Sequence, residues 1–136
     1  MPRAGPRAKL TGMEPTEVTS GDTIRLVLPA EPGYGRIARI AASSLALRLG
    51  LSFAAIEDLR LAIDEAVILL LRPGTAGEIT IEFGVARDRL TIDADTSSEG
   101  PATFEPEAQA RFEEIVGDTV DVVTIDGTHV HLVKTF

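Results

Sequence analysis

Ser52-Phe53-Ala54-Ala55-Ile56-Glu57-Asp58-Leu59-Arg60-Leu61-Ala62-Ile63-Asp64-Glu65-Ala66-Val67-Ile68-Leu69-Leu70-Leu71-Arg72 is the stretch that decides the fold. At about 100° per residue, Ile56, Leu59, Ile63, Ala66 and Leu70 share one helical face, and that face is core. Ser52 is placed to cap the first turn by accepting a backbone N–H. Pro73-Gly74 is the expected stop, because proline cannot continue a helix and glycine tolerates the left-handed exit. Glu57, Arg60 and Asp64 lie opposite the core face, where Arg60 and Asp64 are expected to pair at i,i+4. A third strip holds Asp58, Leu61, Glu65 and Leu69. Its carboxylates stand two turns apart at the lip of the core face, where a site can be built.

Upstream, Arg36 to Leu49 carries a second helical pattern, with Ile37, Ile40, Ala41, Leu45, Leu47 and Leu49 as its apolar positions. The same segment is rich in small residues (Ala41, Ala42, Ser43, Ser44, Ala46), which permit close approach of another element. Gly50 ends it. Before it, Pro29 to Gly35 reads as a loop and Thr23 to Leu28 alternates as a strand. Residues 1–21 are rich in Pro, Gly and polar groups without a period, and are expected to be a disordered basic arm.

Downstream, Glu78 to Val85 alternates strictly, Arg87-Asp88 turns, and Leu90, Ile92 and Ala94 point inward on the next strand. Thr91, Asp93 and Asp95 point outward. Thr96 to Glu105 is a polar loop. Pro106 to Val116 is a weaker helix with Ala108, Phe112, Ile115 and Val116 as its stripe. Val120 to Ile125 and Thr128 to Val133 form a closing hairpin around Asp126-Gly127. The order is β-α-α-β-β-α-β-β. Strands with one apolar face need helices on one side of a largely antiparallel sheet, so the expected class is α+β, a two-layer α/β sandwich over residues 22–136.

Composition narrows the function. The chain has 136 residues, enough for one domain with one core. Its formal net charge of −8 opposes direct nucleic-acid binding and suits a basic protein partner. With no cysteine, disulfides, thiol chemistry and cysteine-based zinc sites are excluded. No apolar run reaches the roughly 18 residues of a membrane span, and no early run resembles a signal peptide, so a cytoplasmic protein is expected.

The run Ile37-Ala38-Arg39, the break Leu49-Gly50-Leu51 and the helix from Glu57 to Val67 resemble the anti-sigma-factor, serine-kinase branch of the Bergerat-fold (GHKL, histidine-kinase-like) ATPases. The closing strands, through Val120-Asp121-Val122-Val123 and His131-Leu132-Val133-Lys134, are also similar. The resemblance spans about residues 22–135 and implies the Bergerat fold. It further implies a protein that sequesters a sigma factor, dimerises partly through its first helix, and in active members phosphorylates an anti-anti-sigma (STAS-type) partner with ATP and Mg²⁺.

Three boxes hold ATP in that family, and this sequence departs from each. Glu65 matches the family's glutamate, but the metal-ligating asparagine four residues later is Leu69, which offers no oxygen to a hard cation. The adenine-binding Asp-x-Gly-x-Gly run is Ala94-Asp95-Thr96-Ser97-Ser98 here, and Ala94 accepts no hydrogen bond. The phosphate-holding Gly-x-Gly run is reduced to Gly100, followed by Glu105-Pro106-Glu107 at the helix start, where acids repel a triphosphate. Bound nucleotide is therefore not expected; ATP and Mg²⁺ enter only if the ancestral site survives.

By that resemblance Glu65 is the candidate catalytic residue, a general base or water-positioning acid, if the chain is active. The plainer alternative is a partly exposed carboxylate paired with Arg60 or Arg36. Arg39 aligns with an arginine that the family uses at its protein-binding surface, and Arg36 extends that patch. The alternative for Arg39 is a charge whose stem lies over its own core. Asp58 reads as surface. His129 and His131 share a strand face, but without a third ligand no metal site is expected. Asp95 with Glu99 near Gly100 reads as turn chemistry. The expected function is an anti-sigma regulatory protein, with a divergent serine kinase as the alternative.

Overall fold

Alternating side chains build the sheet, and the helices take up its apolar face. The computed structural model describes residues 21–71, 77–97 and 101–136. The strands are β1 (Thr23–Pro29), β2 (Glu78–Val85), β3 (Arg89–Thr96), β4 (Val122–Asp126) and β5 (His129–Thr135), and the helices α1 (Gly35–Arg48), α2 (Phe53–Leu70) and α3 (Pro106–Val116). A 3-10 turn at Pro32–Tyr34 leads into α1. The element order is the one expected. The sheet runs β1-β2-β3-β5-β4 with every neighbouring pair antiparallel.

Register places whole rows of side chains on one face. Leu26, Ile81, Ala94, Val130 and Ile125 form one rung across all five strands. Ile24, Phe83, Ile92, Leu132 and Val123 form the next. Residues of these rungs on the central strands β2, β3 and β5 are buried, and their neighbours along each strand are only half-buried. That is the pattern of a sheet covered on one side. The alternate rung Arg25, Glu82, Asp93, His131 and Thr124 lies on the other, polar face.

The central helix follows its sequence closely. Ser52 Oγ accepts from the Ala55 amide at 3.1 Å, which is the expected cap. Leu59, Ile63, Ala66 and Leu70 are buried, Ile56 is half-buried, and Ala62, Val67 and Leu69 widen the buried arc. The expected stop at Pro73-Gly74 lies outside the described residues, as do residues 1–20 of the expected arm and the Glu99–Gly100 turn. One expected pair does not form. Arg60 reaches back to Glu57 at 2.7 Å, and Asp64 is held instead by Arg39 of α1 at 3.5 Å.

The first helix corrects the expected register. Its core face is Ala38, Ala42, Leu45 and Ala46, while Ile37, Ile40 and Leu47 are exposed, Ile40 by 58% and Leu47 by 69%. Close approach explains this. A Cβ on Gly35 would stand 3.3 Å from Val67 Cγ1, so α1 enters against α2 with little room for bulk. Three alanines and Leu45 make the core face, and Ile37, Ile40 and Leu47 are left outside. Gly50 adopts φ +82° and ends α1 as expected.

The smaller shifts have local causes. In α3, Phe112 and Val116 are buried and Ile115 half-buried, but Ala108 is exposed and Gln109 takes its expected place inward. β4 begins at Val122 rather than Val120, and Val120 is buried just ahead of it. β5 runs on to Thr135, whose amide is held by Asp121 Oδ2 at 2.6 Å. Gly127 turns the final hairpin at φ +64°.

Candidate functional site

Two helices facing each other with matched spacing leave a cavity. On α2, Glu65, Ile68 and Leu69 fall at i, i+3 and i+4; on α3, Ala108, Arg111 and Phe112 do the same. Phe104, buried just before α3, and Pro101 close the space, whose volume is about 500 Å³. Its walls are mostly apolar. The polar groups are Glu65, Glu105 and Arg111.

Glu65 is largely withdrawn from solvent, its side chain 13% exposed, and its Oε1 lies 3.3 Å from Arg111 Nη1. Arg111 is itself 62% exposed, so the cation sits at the mouth and the anion further in. Neither Arg60 nor Arg36 is its partner, contrary to expectation. Arg60 is held by Glu57, and the partner comes from a helix 46 residues away in sequence. Leu69, where the family's metal ligand belongs, is 7% exposed and part of the core. Ala94 is buried in the sheet's apolar rung and has no side-chain acceptor. Among the described residues of this cavity, position 69 offers a magnesium ion no oxygen, and Glu105 adds a second carboxylate to that of Glu65.

Between the outer faces of α1 and α2, Ile40 and Leu47 line a shallow groove whose charged groups are Arg36, Arg39, Arg60 and Glu57. Ile40, Leu47 and Phe53 supply its apolar surface, Phe53 being 79% exposed. Arg36 is exposed. Arg39 is half-buried, tied to Asp64, and its carbonyl accepts from Ser43 Oγ at 2.8 Å. Asp58 is not a plain surface carboxylate, because Lys134 of β5 reaches it at 3.5 Å while donating to the Thr119 carbonyl at 2.8 Å.

The polar face of the sheet holds a cluster that period-2 alternation could have assembled. His129 Nε2 and His131 Nδ1 lie 2.8 and 2.7 Å from the same oxygen of Asp93. His129 Nδ1 is 3.5 Å from Asp95, and Thr128 Oγ1 donates to Asp95 at 2.9 Å. The hydrogen bond to Asp93 raises the His129 pKa against partial burial, and the charges of Asp93 and Asp95 add to it. For Asp93, burial pushes upward, but the hydrogen bonds and charges of both histidines outweigh it and hold the carboxyl below its usual range. Among the described residues, no group of three His, Cys, Asp or Glu has the arrangement to hold a metal ion. No helix among them is long and apolar enough to cross a membrane.

A five-stranded antiparallel sheet, with α2 carrying Glu65 beside a cavity that α3 closes, is the layout of a histidine-kinase-like (GHKL) domain. No protein-family model matches the chain. It is 34% identical over 125 residues to the serine-protein kinase RsbW of Listeria innocua, covering 86% of this chain and 76% of that protein. It is 32% identical over 122 residues to the serine-protein kinase RsbW of Bacillus velezensis, with 86% and 75% covered. For the protein of that name from Bacillus subtilis the figures are 32% over 121 residues, with 85% and 74% covered. The chain belongs to the RsbW family, in the anti-sigma-factor and serine-kinase branch of the GHKL ATPases.

Proposed function

We propose that this protein is a cytoplasmic anti-sigma factor that sequesters a sigma factor through the outer surface of α1. An anti-anti-sigma (STAS-type) protein releases it by competition, and nucleotide binding has been lost. The observation that carries this reading is the inverted helix. Three bulky residues of α1, Ile37, Ile40 and Leu47, face solvent on the helix that carries Arg36 and Arg39, while three alanines are buried in its core face. Large exposed hydrophobes next to arginine are what a protein interface uses as anchors. The groove is lined by three arginines and one carboxylate, Glu57, on a protein of net charge −8; Arg39 and Arg60 are ion-paired within the chain, and the exposed Arg36 is placed to meet an acidic, apolar segment of the sigma factor. A homodimer would draw on the same helix.

The test is co-purification of the full chain with each sigma factor of its source genome, with Arg39→Ala and Ile40→Asp as variants. One sigma factor should be retained, and both variants should weaken it. Retention that ignores both substitutions removes α1 from the interface.

A second reading keeps the kinase. Glu65 stands in a cavity between α2 and α3, and the relatives carry the name serine-protein kinase. In that reading Glu65 is the catalytic base and serves an anti-anti-sigma protein as substrate. The buried Leu69 and the acidic cavity weigh against it.

A further inference from the structure

The cavity between α2 and α3 is well formed although its residues do not suit a nucleotide. At about 500 Å³ it is within the range of roughly 300–1,000 Å³ that small-molecule sites occupy. A single protein side chain would fill only part of it. Its charge is uneven: among the described residues, Glu65 and Glu105 line it with one guanidinium, that of Arg111. The Glu65 carboxylate is the inner member of the Glu65–Arg111 pair, and Arg111 is the outer, solvent-exposed one.

We propose that this cavity binds a small apolar amine, with its ammonium group on Glu65 and its hydrocarbon part against Leu69, Phe104 and Phe112. Arg111 is the counter-ion that such a ligand displaces. The inference rests on the reading that magnesium-nucleotide affinity has been lost. Three observations select the charge of the ligand. An anionic ligand meets Glu65 and Glu105. A neutral ligand leaves the Glu65–Arg111 pair in place and gains only apolar burial. A cationic ligand takes the place of Arg111 on the mostly buried Glu65 carboxylate, and returns Arg111 to water at little cost because its side chain is mostly there already. The site therefore discriminates by charge among ligands of equal hydrocarbon content.

The experiment is calorimetric titration of the full chain with n-octylamine, 1-octanol and octanoate, each below its aggregation concentration. Magnesium ADP is a separate arm. Octylamine should bind about tenfold tighter than octanol, and octanoate weakest. Glu65→Gln should bring octylamine to the level of octanol, and Arg111→Gln should tighten octylamine. Ala108→Trp, at an exposed position on the cavity rim, should abolish binding of all the probes while the melting profile stays intact. Octanoate binding tightest, equal binding of the series, no binding at all, or indifference to Glu65→Gln would each overturn the proposal. Heat from magnesium ADP overturns the nucleotide-loss reading alone, and the amine series still decides the site.

Discussion

The Glu65 carboxylate of α2 and the Arg111 guanidinium of α3 stand 3.3 Å apart and join two helices across a cavity that has no other described cation. The pair is asymmetric in its exposure, and the asymmetry sets its cost. Removing Arg111 leaves a mostly buried carboxylate without its cation. Arg111→Ala should therefore destabilise the fold by about 1 kcal/mol, less than a fully buried pair because Arg111 is in solvent. Urea unfolding of the variant checks this; an unchanged midpoint would mean that the pair contributes nothing.

Leu69 tests whether the nucleotide site can be restored by one residue. Leu69→Asn returns the missing oxygen but places an amide where a core side chain sits. The variant should lose about 2–4 kcal/mol of stability. It should gain no measurable Mg·ATP affinity, because Ala94 and the acidic cavity are unchanged. Denaturant unfolding and calorimetry read the two effects separately.

The register of α1 predicts opposite outcomes at neighbouring positions. Ala42 is fully buried and Ile40 is exposed. Ala42→Leu should cost about 1–3 kcal/mol through overpacking against α2. Ile40→Asp should change stability by about 0.5 kcal/mol or less. A chemical denaturation series on both variants distinguishes this register from the reverse.

The histidine cluster gives a pH dependence whose sign follows from its shifts. The His129 pKa is raised above its ordinary 6.5, so its contribution is fully present below about pH 6.5 and is lost as pH rises through the folded value. The Asp93 pKa is lowered from 3.8, so its contribution is present above that pH and is lost as pH falls through the folded value. The cluster is therefore most stabilising between the two, in mildly acidic solution. His129→Asn should remove the loss on the alkaline side, a small effect at so exposed a site. Melting temperature against pH, for the parent and the variant, is the measurement.

Much of this was legible in the chain itself. Strand alternation and the caps at Ser52, Gly50 and Gly127 gave the element order, because each is a local signal. The register of α1 was not legible, since a bulky apolar residue reads as core and an alanine as neutral until the neighbouring helix is seen to need the space. Ion pairs failed for a related reason. Arg39–Asp64 and Glu65–Arg111 each join different helices, whereas a sequence offers only partners one turn away. Asp93, His129 and His131 were each placed on the right face by alternation, but β3–β5 register was needed to bring them together.

The central claim is a member of a kinase-bearing family that binds its partner without nucleotide. Calorimetric titration of the full chain with Mg·ATP, at concentrations up to those in cells, tests it most directly. The account predicts no heat of binding and no thermal shift. A clear micromolar isotherm would contradict it and would place the serine kinase, with Glu65→Ala as the decisive variant, ahead of the nucleotide-free binder.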